Sequence, residues 1–246
     1  MRPVANRLAS YGLVLLGLFG IGYALGERLP GHHHGPVVSA GYSLVLDDHT
    51  SSSISFHIAD ERSTLTDFMV HHGAAMHVAL IRDDLSGFQH VHPTMAPDGT
   101  WTVAVDLSKP GRWRVTADSM PTGASGNVVV VTDITVPGDA TPEPLPPPND
   151  MVTTEGLMVT RDGLRFTITA EDGSAATGLD SYLGQSAHLV AFRQGDLQYT
   201  HLHPSNDDIG DYRFDGSLPG PGTYRLLLQV THNGAVLTVP FTVVQT

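Results

Sequence analysis

The pattern of apolar and polar positions divides the chain into two kinds of segment. Residues Leu8 to Leu25 read LASYGLVLLGLFGIGYAL, 18 positions without a charge, with Arg2 and Arg7 before them and Glu27 and Arg28 after. A basic flank ahead of an apolar run is an export signal, and roughly 17–25 such residues span a bilayer as a helix. Residues 1–29 therefore read as an N-terminal transmembrane helix, a membrane anchor or signal segment, with Ala24-Leu25-Gly26 as a competing cleavage site. The positive-inside rule keeps Arg2 and Arg7 cytoplasmic and sends the rest out. The expected location is the cell membrane, single-pass, with the C-terminal domains outside the cytoplasm, or secretion if the segment is cleaved.

Beyond residue 38 the pattern changes to short runs rich in Val, Ile, Phe and Thr, bounded by Gly, Pro, Asp and Ser. Such runs predict strands, for example over 53–58, 76–82, 101–107, 112–117 and 128–136. No stretch here keeps a helical period. Two breaks divide this part. Residues 30–37 form a His/Gly/Pro linker containing His32, His33 and His34. Residues 137–149 hold six prolines, an extended and semi-rigid linker. The expected domains are 38–136 and 150–246.

The two domains are copies of one another. His77 matches His188, His90 matches His201, and His92-Pro93 matches His203-Pro204. Trp101 matches Tyr212, and Pro110-Gly111-Arg112-Trp113-Arg114 matches Pro221-Gly222-Thr223-Tyr224-Arg225, all at an offset of 111. About seven short strands in each copy predict an all-β chain of two tandem immunoglobulin-like β-sandwiches.

Composition narrows the chemistry. The chain has 246 residues, 13 Lys+Arg against 25 Asp+Glu, a formal net charge of −12 and a pI near 5.5. That balance argues against nucleic acid, which demands a clustered basic surface. There is no cysteine, which excludes disulfides, thiolate metal sites and Cys nucleophiles. Histidine, at 14, outnumbers Lys and Arg together.

The repeated histidines have a strand geometry. Each copy contains His, twelve residues, then His-x-His-Pro. The twelve residues read as two strands around a four-residue turn, 83–86 in the first copy and 194–197 in the second. Counting outward pairs His77 with His92 and His188 with His203. Residues i and i+2 share a strand face, and directly opposed residues lie about 4.5–5.5 Å apart. Two clusters are expected, His77, His90 and His92 in one, His188, His201 and His203 in the other. Three imidazoles are a ligand set for copper or zinc. His71, His72, Met76 and His32, His33 and His34 are weaker candidates. The competing reading is architectural: imidazoles bonded to backbone at a strand end, recording only the duplication.

The segments MHVALIRDDLSGFQHVHP and GLDSYLGQSAHLVAFRQGDLQYTHLHP resemble exported bacterial immunoglobulin-like domains near the YtkA-like and CopC-like copper-associated sandwiches. The resemblance implies a β-sandwich, export, and a role in handling copper or another heavy metal. A CopC-type site also uses an N-terminal His and Asp-x-His; Asp47-Asp48-His49 supplies the latter in sequence only. No catalytic set is present, neither a Gly-x-Ser-x-Gly elbow nor a His-Glu-x-x-His pair. The expectation is a non-enzymatic, membrane-anchored protein that captures a metal ion, copper first and zinc second, and hands it to an envelope transporter or chaperone. The alternative is a structural or interaction module of the envelope that binds a protein or glycan.

Overall fold

A computed structural model of the protein describes residues 39–246, apart from residues 72, 182, 183 and 207. The expected membrane segment, the linker with His32–His34, and His72 lie outside the described residues. Among the described residues all regular structure is β, and no helix is long and apolar enough to cross a membrane.

Four sheets pair into two sandwiches. In the first copy one sheet has the order β1 (Tyr42–His49), β2 (Ser53–Asp60), β7 (Trp101–Ala104), β6 (Thr94–Met95). The other runs β3 (Phe68–Met69), β8 (Gly111–Pro121), β4 (Met76–Arg82), β5 (Gln89–Val91), with β9 (Val128–Val136) also on β8. Alternation builds the core between them. Ile54, Phe56 and Ile58 of β2 meet Val78 and Leu80 of β4 and Trp113, Val115 and Ala117 of β8. The second copy repeats this. Its sheets run β10 (Met151–Thr154), β11 (Leu157–Asp162), β12 (Arg165–Ala170), β16 (Asp211–Arg213), and β13 (Leu179–Asp180), β17 (Gly222–His232), β14 (His188–Arg193), β15 (Tyr199–Leu202), with β18 (Ala235–Gln245) on β17.

Strand β4 is buried at every position, on both faces. Met76, Val78 and Leu80 point into the first core. Ala79 and Ile81 belong to a third cluster, with Leu85, Val190, Phe192, Leu197 and Leu227. That cluster takes residues from both copies, so the sandwiches pack through the outer faces of β4 and β14. A strand covered on both sides reads as a continuous apolar run rather than an alternating one.

The turns carry this contact too. Leu85 and Leu197 both have positive φ, 64° and 56°. A bulky residue in the left-handed region costs about 1–2 kcal/mol. Both side chains are buried between the copies, and burying a leucine stabilises by about 1.5–3 kcal/mol, enough to offset the strain. The proline-rich linker is strapped to the same end. Glu143 donates its amide to Asp84 Oδ2 at 2.8 Å, and Leu145 packs against the third cluster. Further on, Asn149 exchanges backbone and side-chain hydrogen bonds with Thr242 of β18.

Two strands differ from their sequence expectation. The expected strand at 101–107 stops at Ala104, because Val105 and Leu107 donate to the carbonyls of Ser52 and Ser51 in the loop ahead of β2. The one expected at 112–117 runs instead to Pro121, paired with β4 on one edge and β9 on the other.

Replacing Ile81 by alanine removes apolar contact from the interdomain cluster without touching either sandwich core. We expect a loss of about 2–5 kcal/mol, the range for large-to-small substitutions at buried sites, measured by urea unfolding. A change under 0.5 kcal/mol would mean that the copies do not support one another.

Candidate metal centre

The hairpins have the register that the turn length implies. Ala79 pairs with His90 and Val78 with Val91, which carries His77 opposite His92 at the end of the ladder. Leu189 pairs with Leu202 and Val190 with His201, which carries His188 opposite His203. His77 and His188 are buried, and the other four are partly buried.

The two expected clusters are in fact one. Because β4 and β14 face each other, the histidine triads meet across the interface. His77 and His201 have ring centroids 5.0 Å apart, His90 and His201 5.1 Å, His90 and His188 5.5 Å. One ring nitrogen from each of His77, His90, His188 and His201 lies within 4.8 Å of the other three. His92 and His203 flank this set, each with its ring 4.8 Å from the first histidine of its own copy.

The outer hydrogen bonds show how the rings are turned. His77 Nε2 lies 3.3 Å from the His71 carbonyl oxygen, which can only accept. The proton of neutral His77 therefore sits on Nε2, and Nδ1 presents a lone pair. His90 Nδ1 donates to Gln229 Oε1 at 2.6 Å, while the Gln229 amide nitrogen donates to Thr238 Oγ1. So His90 Nε2 also presents a lone pair. These two nitrogens face each other at 3.3 Å. His92 Nε2 lies 3.1 Å from the same His77 Nδ1. In the second copy His201 Nδ1 is held by Asp118 Oδ2 at 3.4 Å, turning Nε2 toward His188 Nδ1 at 3.3 Å.

Each copy thus holds the other's ring. Asp118 stands opposite His77 on β8, and Gln229 stands opposite His188 on β17. Asp118 reaches across to His201, and Gln229 reaches across to His90. Neither was singled out from sequence. Both are legible there afterwards, since they too are offset by 111 and each follows a β-aromatic-Arg segment in the same strand.

Burial favours the neutral form of three of the imidazoles. It pushes His90 and His92 down to about 3, aided by repulsion from neighbouring histidines, and lowers His201 well below its ordinary value. Burial raises the Asp118 carboxyl to about 7, against the opposing hydrogen bond from Asn127. Tyr199 is likewise driven up by burial and by Asp118 beside it.

The weaker candidates scatter. His71 stands at the edge of the cluster, where its backbone holds His77 and its side chain lines a pocket. Met76 does not join: it is buried in the first sandwich core, one residue from His77 and so on the opposite strand face. Asp47 binds His57 Nδ1 at 2.8 Å and Asp48 accepts the His49 amide, so the Asp-x-His segment is engaged on β1, in the other sheet.

A family model described as "Domain of unknown function (DUF8832)" matches residues 38–136 and again 151–246. No curated protein matches the chain. Similar solved structures include a tetra-tandem repeat in the extending region of a large adhesion protein, at 13% identity over 83% of this chain and 49% of that one, TM-score 0.29. The chain thus spans about half the length of that protein. Others are the chicken CNTN1 FN1–FN3 domains, at 10% identity over 86% and 68%, TM-score 0.22, and a chimeric titin Z1Z2 functionalized with an exogenous decorin peptide, at 14% over 85% and 100%, TM-score 0.19.

The neutral histidines set the acid response. Their unfolded pKa is about 6.5, so the stability they confer is whole above that pH and is lost as pH falls toward 3. Asp118 acts oppositely, since its raised pKa relieves the folded state as pH falls through 7. Three histidines outweigh one carboxyl. We expect the Tm to fall between pH 7 and pH 4, and Asp118→Asn to raise it at pH 8. A Tm that rises on acidification would contradict this balance.

Proposed function

We propose, for a chain that belongs to the DUF8832 family and holds two copies of its domain, that it binds a transition-metal ion between the copies. The observation that carries this is the convergence of four ring nitrogens, one each from His77, His90, His188 and His201, within 4.8 Å of one another, with His77 Nδ1 and His90 Nε2 3.3 Å apart. The same edge recurs at 3.3 Å in the second copy. An ion with metal–nitrogen bonds of about 2.0–2.1 Å in a tetrahedron sets its ligands about 3.3–3.4 Å apart. His77, His90, His188 and His201 are the proposed ligands, with His92 and His203 beside them.

Copper is the first ion and zinc the second. Any nitrogen set prefers Cu(II) over Zn(II) by the Irving–Williams order, and the hairpins resemble YtkA-like and CopC-like sandwiches. The two 3.3 Å edges suit tetrahedral Zn(II) or Cu(I), with the other ligand pairs, within 4.8 Å, drawn in by the ion. Imidazoles held neutral against acid do not lose their ion to protons near neutral pH. We read the protein as non-enzymatic, each copy as immunoglobulin-like, and the whole as held outside the cytoplasm by its N-terminal segment, where it captures an ion and passes it to an envelope partner.

Calorimetric titration of the purified protein with Cu(II), Zn(II) and, under reducing conditions, Cu(I) tests this. We expect one equivalent per chain, because the triads converge. In His77→Ala and His188→Ala, each confirmed folded by circular dichroism, affinity should drop at least 100-fold. Equal heats in the unmodified protein and both variants would sink the metal reading. The histidines would then be architectural, and a structural or interaction module of the envelope would become the better account.

A further inference from the structure

The surroundings of the histidines are not symmetric. A pocket of about 100 Å³ reaches His77, His201 and His203 from the side of the first copy. One water needs about 10–15 Å³ of such space, so the pocket has room for several waters, the scale of a partly hydrated ion. Its walls include the small residues Ala74 and Ala75, together with His71, Asp118 and Ser119. The Ser119 hydroxyl is buried and has no hydrogen-bond partner among the described residues, a polar atom left for solvent or a solute. At the positions 111 further on, the sequence has Tyr182, Gln185, Ser186, Gln229 and Val230. Every one is bulkier than its counterpart, and the carboxylate has become an amide.

We propose that this pocket is the exchange port of the interdomain site, through which a hydrated divalent cation passes, meeting the Asp118 carboxylate and His203 before His77 and His201. The proposal rests on the metal reading above. The four central nitrogens lie between two packed sheets, so an ion needs a path that does not separate the sandwiches. The first copy keeps small and polar walls along one path. Among the described residues Asp118 is the buried acidic side chain that lines it, and it also orients His201. The donors facing the pocket are imidazole and carboxylate oxygen, which suit a hydrated divalent ion rather than one carried by thioethers. At the matching positions the second copy's sequence carries the larger side chains.

A port changes rates without changing equilibrium. Stopped-flow mixing with Zn(II) would give association, and excess EDTA would give dissociation, for Ala74→Val, Ala74→Gln and Ala74→Phe. We expect both rates to fall together as side-chain volume grows, by about tenfold for Ala74→Phe, with Kd unchanged within twofold. His71→Tyr, which installs the second copy's residue, should slow both rates as well and serves if Ala74→Phe does not fold. Rates that stay constant across the series while zinc still binds would overturn the port and leave the metal site standing. So would a rise in dissociation alone, which would make Ala74 part of the site. Absence of zinc binding in the unmodified protein would instead remove the metal reading itself.

Discussion

Everything at the candidate site depends on burying β4 and β14 on both faces. A sandwich needs only one face of each sheet covered. Here the outer faces carry Ala79, Ile81, Val190 and Phe192, and these are covered by the other copy. That apolar contact holds the two hairpins side by side. The histidines continue the same strand faces by one more position, so wherever Ala79 and Val190 are brought together, His77 and His188 follow. The apolar part of the interface thus supports a polar part that would be costly alone. Six imidazoles brought out of water need partners, and they find them in one another, in Asp118 and in Gln229.

The reciprocal hold of each copy on the other's ring gives the cluster its directionality. A histidine donor fixed at Nδ1 by a glutamine or carboxylate turns its Nε2 inward, the arrangement that outer partners impose on metal-ligating histidines generally. The two holds are unequal. Gln229 is neutral and is itself anchored by Thr238. Asp118 is a carboxyl whose burial, only partly offset by Asn127, raises its pKa to about 7. A duplicated domain starts with two equal approaches to the shared site, and replacements such as Asp118 against Gln229 or Ala74 against Gln185 make them different. The carboxyl and the smaller side chains lie on the same side.

Much of this was legible in the chain. The 111-residue offset, the strand-type runs and the four-residue turns were sufficient to place His77 opposite His92 and His188 opposite His203, since strand geometry repeats every two residues and a turn of known length leaves one pairing. Asp118 was missed because the strand expected at 112–117 was ended one residue short of it. What extends β8 is the partner strand on each side, and pairing of that kind is not a property of the segment itself.

By itself, the sequence determined the all-β character, the duplication, the two domains and the histidine triads, because period, turn chemistry and internal repetition are local properties of a chain. Only the tertiary structure decided that the two triads form one site. An apolar run such as MHVALIR reads the same whether its second face meets water, a loop or another domain. Which surface covers it depends on the complementarity of residues over a hundred positions apart, Ile81 with Phe192 and Leu85 with Leu197. That pairing turned two candidate sites into one, and it put Asp118 and Gln229, each in its own strand, within reach of the other copy's histidines.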